Sequence, residues 1–370
     1  MSQENGFYFN PTAQSWALDH TSDFSFVQKF HQSLPGFAPS PLVSLAELAK
    51  ELGVREIFVK DESSRIGLPS FKILGASWGA FRAIASRANL PLDASLSQIS
   101  AAARKDGIKL FAATDGNHGR AVARIASLFD LKAEIFVPNF MKTATRKLIV
   151  SEGAEVSSVD GDYDAAVNEA SRHADATPAG LLVQDTSFEG YEVTPTWIVE
   201  GYSTMLTEIE QELDKQNFKA TLIVTPVGVG SLAQAVVSFC KSNRRAITVL
   251  ATEPDTAACL HESLKAGASE TLRTTGPTIC DGMNCGTVSP IAWPVLRSGV
   301  DASVTVPDAE THAAVQYLKS HGVNAGPCGA ATIAGLRRVA ALAPDAARLD
   351  SGAIVVLLST EGTRYYEIPN

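Results

Sequence analysis

The feature that most constrains this chain is an alternation. From about Arg55 onward, short β-branched and apolar runs take turns with longer stretches of helical periodicity. The runs are REIFV, KLFAA, AEIFV, AEVSSV, LLVQ, TLIVTP, ITVLAT, ASVTV and AIVVLL. Several are apolar almost without interruption, as in strands buried on both faces. Between them lie GRAVARIASLF, TATRKLIVSE, YDAAVNEASRHA and SLAQAVVSFCKS, whose apolar positions recur at helical spacing. A strand that returns parallel to its neighbour needs a long crossover, usually a helix. The pattern therefore predicts an α/β chain with open, twisted parallel sheets flanked by helices. No Pro/Gly/Ser-rich linker divides the 370 residues, so two domains are expected to be interwoven rather than consecutive.

Composition narrows the class. A chain that is 45% hydrophobic and 19% charged builds a large core and is not disordered. A net charge of −9 argues against nucleic acid or an anionic membrane as the main partner. No apolar run approaches the roughly 20 residues of a membrane span, and the opening MSQENGFYFNPTAQSW lacks the pattern of a secretory signal. The five cysteines, Cys240, Cys259, Cys280, Cys285 and Cys328, are odd in number and contain no CxxC pair. Neither a zinc site nor a secreted disulfide framework fits, so no metal is expected, and reduced thiols in a cytoplasmic enzyme are the expectation. Cys280 and Cys285 are close enough in sequence to leave a local disulfide open.

Three segments carry candidate chemistry. The first is SFKILGASWGAF, where Lys72 stands among Phe71, Ile73 and Leu74. A lysine in an apolar setting has a lowered pKa and can act as a Schiff-base amine. Small residues one turn later, Gly75, Ala76 and Gly79, let a flat ligand approach. A surface lysine on an amphipathic helix, with glycines for helix packing, explains the same residues. The second is TPVGVGSLAQA, a strand, a glycine turn and a helix start. Gly228 and Gly230 permit close backbone approach, and the amides of Val229, Gly230, Ser231 and Leu232 can converge on a phosphate. A tight packing turn remains the alternative. So does a dinucleotide-binding unit, in which Gly228-x-Gly230-x-x-Ala233 is followed by Glu253 as the ribose-binding acid of an NAD(P)-dependent oxidoreductase. The third is TDGNHG, Thr114 to Gly119, between KLFAA and RAVARIASLF. Its amides suit a carboxylate, which makes the fixed charge of Asp115 unexpected unless it is a helix N-cap.

Taken in order, SFKILGA, TDGNHGRAVA, PVGVGS and LLSTEG resemble the fold type II pyridoxal-phosphate (PLP) enzymes, a group that includes serine and threonine dehydratases and serine racemase. Within it the chain is most similar to the diaminopropionate ammonia-lyase family, through FKILGAS, TDGNHGRAVA, QDTSFEGYEVTPTWIVEGY, GMNCG and LLSTEG. The similarity runs from Phe7 to Glu361. It implies PLP as cofactor and elimination of ammonia from 2,3-diaminopropionate, giving pyruvate and ammonia. It implies Lys72 as the PLP-binding lysine, Asn117 as partner of the cofactor's 3′-oxygen, and Gly228, Val229, Gly230 and Ser231 as the phosphate turn. Ser359, with Thr360 adjacent, is implied as a neutral partner of the pyridine nitrogen. Asp115 is implied as the base that takes the α-proton of the D substrate, opposite Lys72 for the L substrate, and Asp185 as the holder of the β-amino group. Thr114 and His118 join Asp115 and Asp185 as substrate-binding residues. Residues 1–77 and 192–370 are expected to form a large PLP-binding domain, and residues 78–191 a small substrate-closing domain, in a homodimer that acts on a small amino acid. Within this class a serine/threonine dehydratase or a β-replacement enzyme is the alternative. Two segments depart from the family pattern. An acid, Asp281, stands in CDGMNCG where a small apolar residue is expected, and NAGPCGAA stands where an ESG-type sequence is usual.

Overall fold

The computed structural model describes residues 6–18, 24–114, 116–272 and 277–369. The backbone gathers into two units, each entered more than once by the chain: residues 1–23, 39–64 and 205–370 form the first, and residues 24–38 and 65–204 the second. Among the described residues eleven strands are numbered in chain order: β1 (Phe7–Phe9), β2 (Leu42–Ser44), β3 (Glu56–Asp61), β4 (Lys109–Ala113), β5 (Lys132–Pro138), β6 (Glu155–Val159), β7 (Gly180–Leu182), β8 (Leu222–Pro226), β9 (Thr248–Pro254), β10 (Ala302–Val306) and β11 (Ile354–Ser359).

In the first unit seven strands form one sheet in the order β1-β10-β9-β8-β11-β3-β2. The five inner strands are parallel, while β1 and β2 pair antiparallel at the two edges. Every residue of β8, β9, β10 and β11 is buried, which is why those runs read as nearly unbroken apolar sequence. The helix Pro327–Leu342 covers one face, contributing Ala330, Ile333, Ala334 and Leu336 to a core shared with Leu222, Leu250, Val304 and Val355. In a parallel sheet the carboxyl ends of neighbouring strands share an edge. With Val224 paired to Leu357, the turn after β8 and Ser359 at the end of β11 therefore lie side by side on one edge.

The second unit holds a four-stranded parallel sheet, β6-β5-β4-β7, in which Phe111 and Phe136 pack against Ala166, Val167 and Ala170 of the helix Tyr163–Ala176. Its most buried helix is Lys72–Arg87, which packs against Val193–Gly201 and Asn117–Leu128. A Cβ on Gly75 would lie 2.6 Å from the Tyr202 ring, and one on Gly79 2.6 Å from Ile198. A Cβ on Gly201 would lie 2.5 Å from the Leu74 carbonyl oxygen. These small residues are spent on a close helix crossing, which replaces the flat ligand offered for Gly75 and Gly79 in the sequence reading. That crossing also joins residues 65–77 and 192–204 to the second unit, which contains all of 78–191 and extends beyond it at both ends.

Candidate active site

Five of the singled-out residues, Lys72, Thr114, Asn117, His118 and Asp185, are described in the second unit. Lys72 is the first residue of its helix, directly after Phe71, and is not a surface lysine: its side chain is 19% exposed. Its Nζ donates to Asp185 Oδ2 at 2.5 Å. Asp185 is buried just beyond β7, and its neighbours fix it there. The Gln184 side chain accepts from the Ala113 amide at 2.8 Å, and its Nε2 donates to the Tyr163 hydroxyl at 2.6 Å. The Tyr191 hydroxyl accepts the Gln184 amide at 2.9 Å and donates to the Leu182 carbonyl at 2.8 Å. Burial pushes the Tyr191 phenol up, so it stays protonated as that donor. Gln184, Tyr163 and Tyr191 were not picked out from sequence, because their partners lie in other elements.

His118 is buried on the helix Asn117–Leu128, with Nε2 2.8 Å from the Val183 carbonyl oxygen and Nδ1 3.8 Å from Asp185 Oδ2. Burial, together with the Lys72 charge, holds the imidazole below its usual range against the pull of Asp185. Burial alone would push the Asp185 carboxyl up, but the facing His118 ring, the Lys72 ammonium and the Lys72 hydrogen bond outweigh it. Because burial keeps His118 neutral, the Lys72 ammonium is the contact that holds Asp185 below the usual carboxylate range.

The TDGNHG loop shows how its helix begins. Gly116 is the N-cap residue, with φ of 147°, a conformation that favours glycine. The Thr114 hydroxyl accepts the amides of Gly116 and Gly119 at 2.8 and 2.9 Å. Thr114 therefore caps this helix through its hydroxyl oxygen. Asp115 lies outside the described residues. Asn117 opens the helix and is half-buried.

The other candidates stand on the first unit. After β8 the backbone turns through Gly228 and Gly230, the latter at φ of 92°, into the helix Ser231–Lys241. A Cβ on Gly228 would lie 2.8 Å from the Gly282 carbonyl oxygen. The turn is therefore covered by the departing CDGMNCG loop. Asp281 in that loop is paired with Arg364, which explains an acid there. Gly329, in the other departing segment, faces Ser359: a Cβ would lie 2.8 Å from its Oγ. Ser359 is fully buried, and its hydroxyl has no hydrogen-bond partner among the described residues.

The dinucleotide alternative fails on Glu253. That residue is fully buried, and its two carboxyl oxygens accept the amides of Leu260 and His261 at 2.8 and 2.7 Å. It caps the helix Cys259–Ala266 and has no oxygen turned to a ribose. None of the five cysteines is in a disulfide, so the local Cys280–Cys285 bridge left open above is not formed.

Comparison with known proteins places the chain in a family. Residues 34–361 match the model of the family described as pyridoxal-phosphate-dependent enzymes. A diaminopropionate ammonia-lyase of Salmonella typhimurium is 35% identical over 291 residues, covering 76% of this chain and 72% of that protein. The Escherichia coli K12 diaminopropionate ammonia-lyase is 30% identical across 97% of this chain and 92% of its own length. This chain belongs to the diaminopropionate ammonia-lyase family of pyridoxal-phosphate-dependent enzymes. The crystal structure of the Escherichia coli family member in complex with D-serine has a TM-score of 0.85 and 28% identity, covering 97% of this chain and 91% of that one. The chain is thus a PLP-dependent carbon–nitrogen lyase of fold type II.

The residues present fit that cofactor. The turn runs into the start of the helix Ser231–Lys241, which has no side-chain cap and whose first amides, lacking intrahelical partners, suit a phosphate. The next strand on the same sheet edge ends in a buried hydroxyl with no hydrogen-bond partner among the described residues, as suits a group meant for a ring nitrogen. Among the described residues no cluster of His, Cys, Asp or Glu could hold a metal, and no helix is long and apolar enough to cross a membrane.

Proposed function

We propose that the chain eliminates ammonia from 2,3-diaminopropionate, in the D or the L form, to give pyruvate and ammonia. The observation that carries the substrate is the buried Asp185 carboxylate beside the lysine, with a 2.5 Å contact to its ammonium. An enzyme for serine has no use for a buried anion there, whereas a second amino group on the substrate does. When bound, pyridoxal phosphate supplies an electron sink for negative charge at the α-carbon.

The residues proposed to hold it are Lys72 through its amine, Asn117, the amides and glycines of Gly228, Val229, Gly230 and Ser231, and the hydroxyl of Ser359. A neutral hydroxyl leaves the ring nitrogen largely unprotonated, a milder sink that suits β-elimination. Lys72 takes the α-proton of the L substrate, and Asp115 that of the D substrate. Asp185 accepts from the β-ammonium. When the Cβ–N bond breaks, its electron pair goes to nitrogen, and a β-nitrogen held as ammonium departs as neutral ammonia. Thr114 serves by shaping the loop through its two amide contacts. A homodimer in the cytoplasm is the proposed setting, in keeping with five cysteines outside any disulfide.

The test is a yellow purified protein assayed for pyruvate with D- and L-2,3-diaminopropionate and with both serines. Borohydride reduction followed by peptide mapping should tag Lys72. Consumption of serine with no turnover of either diamino acid would overturn the substrate. A tag elsewhere would overturn the lysine.

A further inference from the structure

His118 offers a feature that capping and core packing leave unexplained. Its Nε2 lies 2.8 Å from the Val183 carbonyl oxygen. A carbonyl only accepts, so Nε2 carries the proton and, in the neutral ring, Nδ1 is a bare lone pair. That lone pair is buried, has no hydrogen-bond partner among the described residues, and lies 3.8 Å from Asp185 Oδ2. Two acceptors thus face one spot, and neither satisfies the other. The Lys72 ammonium reaches the same Oδ2 at 2.5 Å. A lysine committed to the cofactor no longer supplies that ammonium, and the two acceptors then require another donor with positive charge.

We infer that His118 Nδ1 and Asp185 Oδ2 form a two-acceptor socket for the substrate's β-ammonium, and that His118 is the residue that sets selectivity for an amino over a hydroxyl leaving group. The inference rests on the diaminopropionate reading above and assigns it a determinant. An ammonium brings three N–H donors and a charge, enough for both acceptors at once. A serine hydroxyl brings one donor. Bonded to Asp185, it turns its own lone pairs toward His118 Nδ1 and leaves a buried acceptor unmet, the arrangement by which polar pockets reject analogues most strongly. Burial, which holds the imidazole below its usual range, keeps the lone pair available.

Two isosteric changes separate this role from a structural one. His118→Gln keeps an N–H donor at the Nε2 position, toward Val183, and loses the Nδ1 acceptor. His118→Asn keeps an acceptor at the Nδ1 position and loses the Val183 anchor. The holoenzymes are compared for kcat and KM on 2,3-diaminopropionate and serine. Binding without turnover is read from the change in the visible band on adding 2,4-diaminobutyrate or alanine. His118→Gln should raise the KM for diaminopropionate and the dissociation constant of diaminobutyrate by about 10- to 100-fold, the worth of a hydrogen bond to a charged group. Serine and alanine should move by less than about threefold. His118→Asn should retain most of the diamino preference. If Gln behaves as wild type and Asn is impaired on all ligands, His118 only anchors Val183 and the inference is wrong. An equal loss on diamino and hydroxy substrates in the Gln variant overturns it as well. Failure of wild type on diaminopropionate, with serine consumed, would instead strike the substrate reading on which it stands.

Discussion

Ser359→Ala should push the cofactor-free and cofactor-loaded proteins in opposite directions. The Ser359 hydroxyl is fully buried at the end of β11 and has no hydrogen-bond partner among the described residues. A buried hydroxyl without a partner carries a desolvation penalty of about 1–3 kcal/mol. Alanine removes one oxygen and leaves the β-carbon in place, with Gly329 already close against it. The small void offsets part of the gain, so the cofactor-free variant should be as stable as wild type or more stable by up to about 1 kcal/mol, a rise of about 1–2 °C in Tm. In the loaded protein the same change removes a hydrogen bond worth about 0.5–1.5 kcal/mol, so pyridoxal phosphate should bind about 2- to 12-fold more weakly. The assay strips the cofactor with hydroxylamine, measures thermal unfolding, and then titrates it back while following the visible band. A cofactor-free variant destabilised by 1 kcal/mol or more would mean that the protein itself bonds the hydroxyl. Unchanged cofactor affinity would mean that Ser359 does not meet the ring. Either result refutes the reasoning.

Gly230→Val places a β-branched residue at φ of 92° with its Cβ about where Leu296 Cδ1 approaches, 2.9 Å away, and should weaken cofactor retention at least about tenfold in equilibrium dialysis. Asp115→Asn should cost about 10²–10⁴-fold in turnover of D-2,3-diaminopropionate and much less with the L form. Steady-state kinetics on both isomers decide, and equal small losses would leave position 115 without a catalytic role. Glu253 is held up to about 8 by burial against the pull of two amides. The native state therefore keeps a proton that the unfolded chain, titrating near 4.5, has released, so stability should fall as pH rises from about 4.5 to 8. Urea midpoints across that range should slope less in Glu253→Gln, which has no proton to lose, and an unchanged slope would place the titration elsewhere. Gly75→Ala forces a methyl against the Tyr202 ring and should cost about 1–3 kcal/mol in the same urea experiment.

The buried parallel strands were legible because burial on both faces writes an unbroken apolar run, as in TLIVTP and AIVVLL. The edge strands β1 and β2, three residues each and antiparallel, carry too little sequence for any periodicity to register. Lys72, the glycine turn and Ser359 were legible through their residue types and order. Gln184 and Tyr191 were not, since a polar residue that braces Asp185 looks in sequence like any loop residue. Gly75 and Gly79 show the opposite failure. Glycine permits a flat ligand or a close helix equally, and only the position of Ile198 and Tyr202 decides. Asp281 read as an oddity until Arg364, far along the chain, supplied its counter-charge.

The place of β11 has a consequence for how such a chain is made. It sits between β3 and β8 in the first sheet, yet β3 ends at Asp61 and β11 begins at Ile354. A ribosome therefore releases β3 and must synthesise residues 65–204 of the second unit, then β8, β9 and β10, before the strand that joins the two halves of the sheet emerges. Until then β3 and β8 each present an unpaired edge, the form of nascent chain most in need of a chaperone. Truncation before residue 354 would not trim a margin. It would divide the sheet at its centre and remove Ser359 with it, so cofactor capture reports that translation has passed this strand.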